Sequence, residues 1–187
     1  MSDRDFIIYC APTLANIKTA SLFNCQFEDR KAFERWMKEK NRTFNRQGLC
    51  MSVLHYCKHC ALVYLFRAAK LREVLCDPAV RAFLENYGYN LHDGMYTCLR
   101  VLKARTEGCC SADFPHEIGI FLGYPLADVE GFIVNNGEGY KAFGMWKVYG
   151  DVEKTCACFE RYEHCSRVYE KVWQTGRRCL SQMTVQG

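Results

Sequence analysis

Proline is scarce, at four in 187 residues, and no run of Pro, Gly or Ser divides the chain, so nothing in it reads as a linker between domains. No segment repeats, which excludes a solenoid or propeller. Long apolar runs are missing as well. No window approaches the roughly 20 consecutive apolar residues that span a bilayer, and Phe6–Tyr9, after the charged start Met1-Ser2-Asp3-Arg4-Asp5, is too short for the core of an export signal. A cytoplasmic protein with no membrane partner is therefore expected. A strong charge bias is also lacking, since 25 basic residues face 21 acidic ones for a net +4. The densest basic stretch, Arg30 to Arg46, is interleaved with Glu34 and Glu39, as on a solvated helix face. The glycines Gly137, Gly139, Gly144 and Gly150 match neither a dinucleotide fingerprint nor a P-loop. No cofactor is expected.

What is abundant is apolar and sulfur-bearing. A hydrophobic share of 49% with 14% aromatics is enough for one core. The 13 cysteines are odd in number and follow no export signal, so they read as reduced thiols, many of them serving as small hydrophobes.

The periodicities predict one α+β domain over residues 1–187. Phe6–Tyr9 reads as a short strand or entry segment, followed by a helix opened by Pro12 and running to Ile17. Ala32, Phe33, Trp36 and Met37 mark an amphipathic helix between Glu28 and Lys40. Leu49–Tyr56 and Ala61–Phe66, joined by Cys57-Lys58-His59-Cys60, form the hairpin expected at the centre of a small antiparallel sheet. Asp77-Pro78 opens a helix that Gly88 closes, and another runs from Asp93 to near Gly108. A short pair follows, opened by Pro115 and Pro125. Tyr140–Tyr149 holds a last strand, Asp151 caps a long terminal helix, and residues 176–187 are expected to fray.

Several groups are candidates for chemistry. Cys10 would sit beside the first turn of the Pro12 helix, where unpaired N–H groups favour a thiolate, making it a candidate nucleophile or redox thiol. His116 and Glu117 could supply proton transfer to it, or equally could cap and pack. Lys18 is either an anion contact or a surface charge. Trp146 and Tyr149 could stack on a planar ligand, or cover the core. Cys57-x-x-Cys60 has knuckle or dithiol spacing, but Cys109-Cys110 and Cys156-x-Cys158 supply no second matching pair, so no metal is expected and a hairpin turn is. Glu117–Ile133 has helix-turn-helix spacing around Gly123, a shape suited to a protein partner. Asp128 and Glu130 repel phosphates, which leaves nucleic acid as the alternative.

Three segments, CAPTLANIKTASLF (Cys10–Phe23), FPHEIGIFLGYPLADVEGFI (Phe114–Ile133) and WKVYGDVEK (Trp146–Lys154), resemble the bacterial domain-of-unknown-function family DUF3793. The resemblance implies a small cytoplasmic protein of anaerobes, with gene neighbourhoods of flavodoxin and iron handling. It implies no catalytic residue. It draws attention to Cys10, Lys18, His116 and Glu117, which lie inside those segments, and away from Cys57 and Cys60, which lie outside them. Thiol-dependent chemistry at Cys10 is the leading expectation. An adaptor or nucleic-acid-binding role for 117–133 and a planar-ligand module are its alternatives. Whether the protein is an enzyme stays open.

Overall fold

The computed structural model describes residues 3–107 and 114–187. Gly108 and the Cys109-Cys110 pair of the sequence analysis lie outside the described residues.

Cys60–Arg67 (β3) is apolar at nearly every position because both of its faces are covered. It is the middle strand of an antiparallel sheet of order β1-β3-β2, flanked by Ala20–Gln26 (β1) and Leu49–Tyr56 (β2). The predicted hairpin is β2–β3. β1, which the sequence reading left unassigned, pairs Ala20 with Phe66 through Gln26 with Cys60. β2 keeps register from Leu49–Arg67 to Val53–Val63 and bulges before His55.

Alternation along the strands feeds two cores. Ala20, Tyr64 and Phe66 point into one, filled by Ala68–Cys76 (α3), Pro78–Glu85 (α4), Met95–Thr106 (α5), Ile118–Phe121 (α6) and Leu126–Val134 (α7). Phe23, Cys25, Val63 and Leu65 point into the other, filled by Asp3–Leu14 (α1) and Arg30–Asn45 (α2). The long helix Val152–Gln174 (α8) serves both, with Phe159 and Tyr162 in the first and Tyr169 and Trp173 beside the second. A two-stranded ribbon, Ala142–Phe143 (β4) with Lys147–Val148 (β5), completes the α+β architecture. No helix among the described residues is long and apolar enough to cross a membrane.

Local chemistry explains most boundaries. Asp29, Asp77 and Asp151 each accept a hydrogen bond from an amide of the first turn they cap. α2 runs past the predicted Lys40 because its buried stripe continues from Phe33 and Met37 to Phe44. Asn41 of that helix donates to the carbonyl of Met51 (2.9 Å) and accepts from its amide (2.7 Å), occupying the open edge of β2.

Two expectations are corrected. The first helix begins at Asp3, not at Pro12, and its acidic first turn, Asp3 and Asp5, suits a helix start. Pro12 falls in its last turn, where its carbonyl accepts from the amides of Ile17 (3.0 Å) and Lys18 (3.1 Å). The C-terminal residues, expected to fray, are docked. Leu180 and Met183 enter the second core, Val185 donates to the Leu14 carbonyl (2.9 Å), and Gln47 donates to the Ser181 carbonyl (2.8 Å). Each buried apolar side chain there contributes about 2 kcal/mol, enough to hold a short segment.

Beneath that segment lies Arg67, which is 1% exposed. Its guanidinium donates to the carbonyls of Thr13 (2.8 Å), Leu14 (2.6 Å) and Gln47 (2.7 Å). A cation at the end of α1 satisfies carbonyls that the helix cannot, and complements its dipole.

Candidate functional site

The turn after α1 sets the site. Asn16 takes a left-handed conformation (φ 59°), the two bonds to Pro12 close the turn, and Lys18 emerges immediately before β1. On the facing side, Gly123 ends α6 with φ +83°, and a Cβ there would run into the Thr19 hydroxyl. That close approach lets Tyr124 lie against Lys18.

The Lys18 Nζ donates to the Tyr124 hydroxyl at 3.4 Å and lies 5.1 Å from the centre of its ring and 5.9 Å from that of Tyr162. No carboxylate among the described residues is within ion-pair reach of it. Burial lowers its pKa from 10.5 to about 8, against smaller opposing effects of the Cys10 and Cys158 thiols. The Tyr124 hydroxyl is pushed up by burial and then by Cys158, so it stays protonated, and it donates to the Met145 carbonyl at 3.3 Å. Tyr162 is pushed up by burial and by its hydrogen bond with Cys158. The enclosure thus holds one amine, two phenols and two thiols.

Cys10 belongs to this enclosure in a different way from that expected. It lies inside α1, fully buried among Phe6, Leu14 and Phe23, and far from an open helix start. Burial raises its pKa strongly, and its hydrogen bond with Ser21 and the nearby Lys18 lower it only in part. Ser21 in turn shares a 2.8 Å hydrogen bond with Thr13. The premise of a dipole-activated thiolate therefore fails. A thiol held in hydrocarbon keeps its proton.

His116 and Glu117 are not brought to Cys10 by any described hydrogen bond or ring contact. The His116 ring packs on Phe132, 4.8 Å away. Glu117, 1% exposed, accepts from the Tyr89 hydroxyl (3.0 Å) and from Arg105, tying α5 to the start of α6. Trp146 and Tyr149 are equally committed. Trp146 stacks on Tyr124 at 4.9 Å and packs on Phe132 at 5.2 Å, so its faces are taken. The Tyr149 ring lies over Gly131, where a Cβ would collide with it. The Trp146 Nε1 and the Tyr149 hydroxyl are buried without a partner.

Asp128 explains the acidity of the helix-turn-helix-like segment. It is 1% exposed and accepts from the amides of Tyr149 and Gly150, both at 2.8 Å, and from the Thr155 hydroxyl at 3.2 Å. It therefore fastens α7 to β5 and α8. The helix preceding the turn, α6, is four residues long and wholly buried. The outward side of α7 presents Ala127 and Glu130, with no Lys or Arg for phosphate.

A family model described as "Protein of unknown function (DUF3793)" matches residues 6–183. The chain belongs to the DUF3793 family. No curated protein and no solved structure matches it. The family description assigns no activity, but the fold gives the three motif segments a shared address. Lys18 comes from the first, Tyr124 from the second and Trp146 from the third, and they meet at the Tyr124 ring. The signal that could have found this meeting is the Lys18 position itself, an isolated cation in a segment otherwise uncharged from Ala11 to Phe23.

A second feature of this DUF3793 chain lies at the far end of the sheet. A groove of about 990 Å³ runs between the β1–α2 connection, the start of α2 and the β2–β3 turn, lined by Phe27, Phe33, Trp36, Cys57, His59 and Cys60 among others. Among the described residues, no three His, Cys, Asp or Glu side chains gather as a metal site.

Proposed function

We propose that the protein works through the Lys18 amine, as a nucleophile toward a small carbonyl compound. The observation that carries this reading is a half-buried ammonium beside two phenol rings and two thiols with no described carboxylate to balance it. A lysine kept only for stability would be better placed on the surface or beside an acid. With a pKa of about 8, an appreciable fraction of the amine is neutral near neutral pH. The neutral nitrogen bonds to the carbonyl carbon, and the carbonyl oxygen leaves as water, giving an imine. Tyr124, protonated and in contact with the amine, holds it in place. Cys10 enters as a buried neighbour of the amine, and a cytoplasmic setting, which keeps Cys10 and Cys158 reduced, suits the reaction.

The test is incubation with glyoxylate and cyanoborohydride at pH 7.5, followed by peptide mapping. Lys18 is expected to be alkylated ahead of the surface lysines, and Lys18→Met to abolish that adduct. Modification confined to surface lysines would overturn the reading.

A further inference from the structure

The Cys57-x-x-Cys60 pair belongs to none of the three motif segments and stands apart from Lys18. Its two residues face each other across a two-residue turn. The Cys57 amide donates to the Cys60 carbonyl at 2.7 Å, in register with Tyr56–Ala61. Opposed residues of this hydrogen-bonded kind have Cα atoms about 5.5 Å apart, inside the range of roughly 4.4–6.8 Å that a disulfide bridges. The neighbouring Cys57 thiol, with smaller help from burial, keeps the Cys60 thiol protonated beyond its ordinary range. Exposure divides the pair too, because Cys57 is exposed and Cys60 half-buried. This is the arrangement of an attacking thiol with a resolving thiol behind it.

The pair opens onto the groove described above, whose floor is the aromatic group Phe27, Phe33 and Trp36, stacked in sequence at 5.0 and 5.9 Å. Its rim carries both signs of charge, with Glu28 and Asp29 on one side and Lys58 on the other. Such a rim complements a molecule bearing both ammonium and carboxylate groups.

We propose that Cys57 and Cys60 form a thiol–disulfide exchange site for small zwitterionic disulfides of the amino-acid type, seated in this groove. The Cys57 thiolate attacks one sulfur of the substrate, forming a mixed disulfide and releasing the first thiol. Cys60, losing its proton to solvent, attacks the Cys57 sulfur, closing the Cys57–Cys60 disulfide and releasing the second thiol. One substrate disulfide is reduced to two thiols as two protein thiols are oxidised to one disulfide.

Cystine serves as the probe. The reduced protein at neutral pH is mixed with it, quenched at intervals and mapped by mass spectrometry. The exposed thiols Cys76 and Cys179 are internal controls; Cys179 is a stringent one, its ionisation being favoured by the Ser181 hydroxyl. Cys57 is expected to react about tenfold faster than either control and to end as an intramolecular bridge to Cys60. Cys60→Ser is expected to stop at the Cys57–cysteine adduct, and Cys57→Ser to leave the turn unmodified. Equal rates at Cys57, Cys76 and Cys179, or a wild-type adduct that never closes, would overturn the proposal. Equal rates with cystine and with an uncharged aliphatic disulfide would overturn the substrate class.

Discussion

The Lys18 ammonium lies 3.4 Å from the Tyr124 hydroxyl, and no described carboxylate shares its enclosure. Exposed cation–π contacts contribute about 0.5–1 kcal/mol, less than the cost of withdrawing an ammonium from water. Lys18→Met, which fills the same space without charge, is therefore expected to equal the parent or exceed it by about 1 kcal/mol in urea unfolding at pH 7. A loss of more than 2 kcal/mol would make Lys18 a structural strut.

The same burial fixes a pH dependence. The unfolded chain holds the Lys18 proton up to its ordinary 10.5, the folded chain only to about 8. Between those values the unfolded state binds more protons, so this site's contribution rises with pH. Cys10 acts in the opposite sense, since its thiol stays protonated in the fold while the unfolded thiol ionises near 9.0. From these two groups the urea midpoint is expected to climb from pH 8 to 9 and then level off, because between 9.0 and 10.5 their slopes cancel. Lys18→Met should remove the climb and turn the plateau into a fall.

Asp128 is expected to be among the most sensitive positions outside the two cores. Asp128→Ala leaves two amides and the Thr155 hydroxyl without their acceptor. The expected cost is about 3 kcal/mol, with fastest hydrogen exchange at the Tyr149 and Gly150 amides. Protection unchanged at those two amides would contradict the assignment.

Arg67 makes a parallel case under the C-terminal segment. Arg67→Met keeps most of the side-chain volume but strips the donors from Thr13, Leu14 and Gln47, for an expected loss of about 3 kcal/mol. Leu180→Ala is expected to cost about 2–3 kcal/mol. A Leu180→Ala protein as stable as the parent would mean that the segment does not hold its place in solution.

Much of the fold is legible locally. The hairpin, α4 and the start of α8 announce themselves through strong β-formers and Asp caps, because those signals depend only on neighbours in sequence. β1 is not legible because its alternation covers only Phe23 to Gln26, and the burial that makes it a strand comes from β3, some forty residues away. Pro12 misled the reading of α1, since a proline in the last turn of a helix looks in sequence like one in the first. That single displacement moved Cys10 from an imagined helix mouth into the core. The site was half legible: Lys18 and Trp146 were singled out, but Tyr124, which joins them, carries no sequence mark that separates it from the other tyrosines.

The most direct measurement is the pH dependence of the labelling rate at Lys18 with an amine-selective acylating reagent, read peptide by peptide. The lowered ionisation predicts a half-maximal rate at a pH of about 8, with surface lysines rising much later. A Lys18 profile that coincides with those surface lysines, near 10.5, would contradict the central claim.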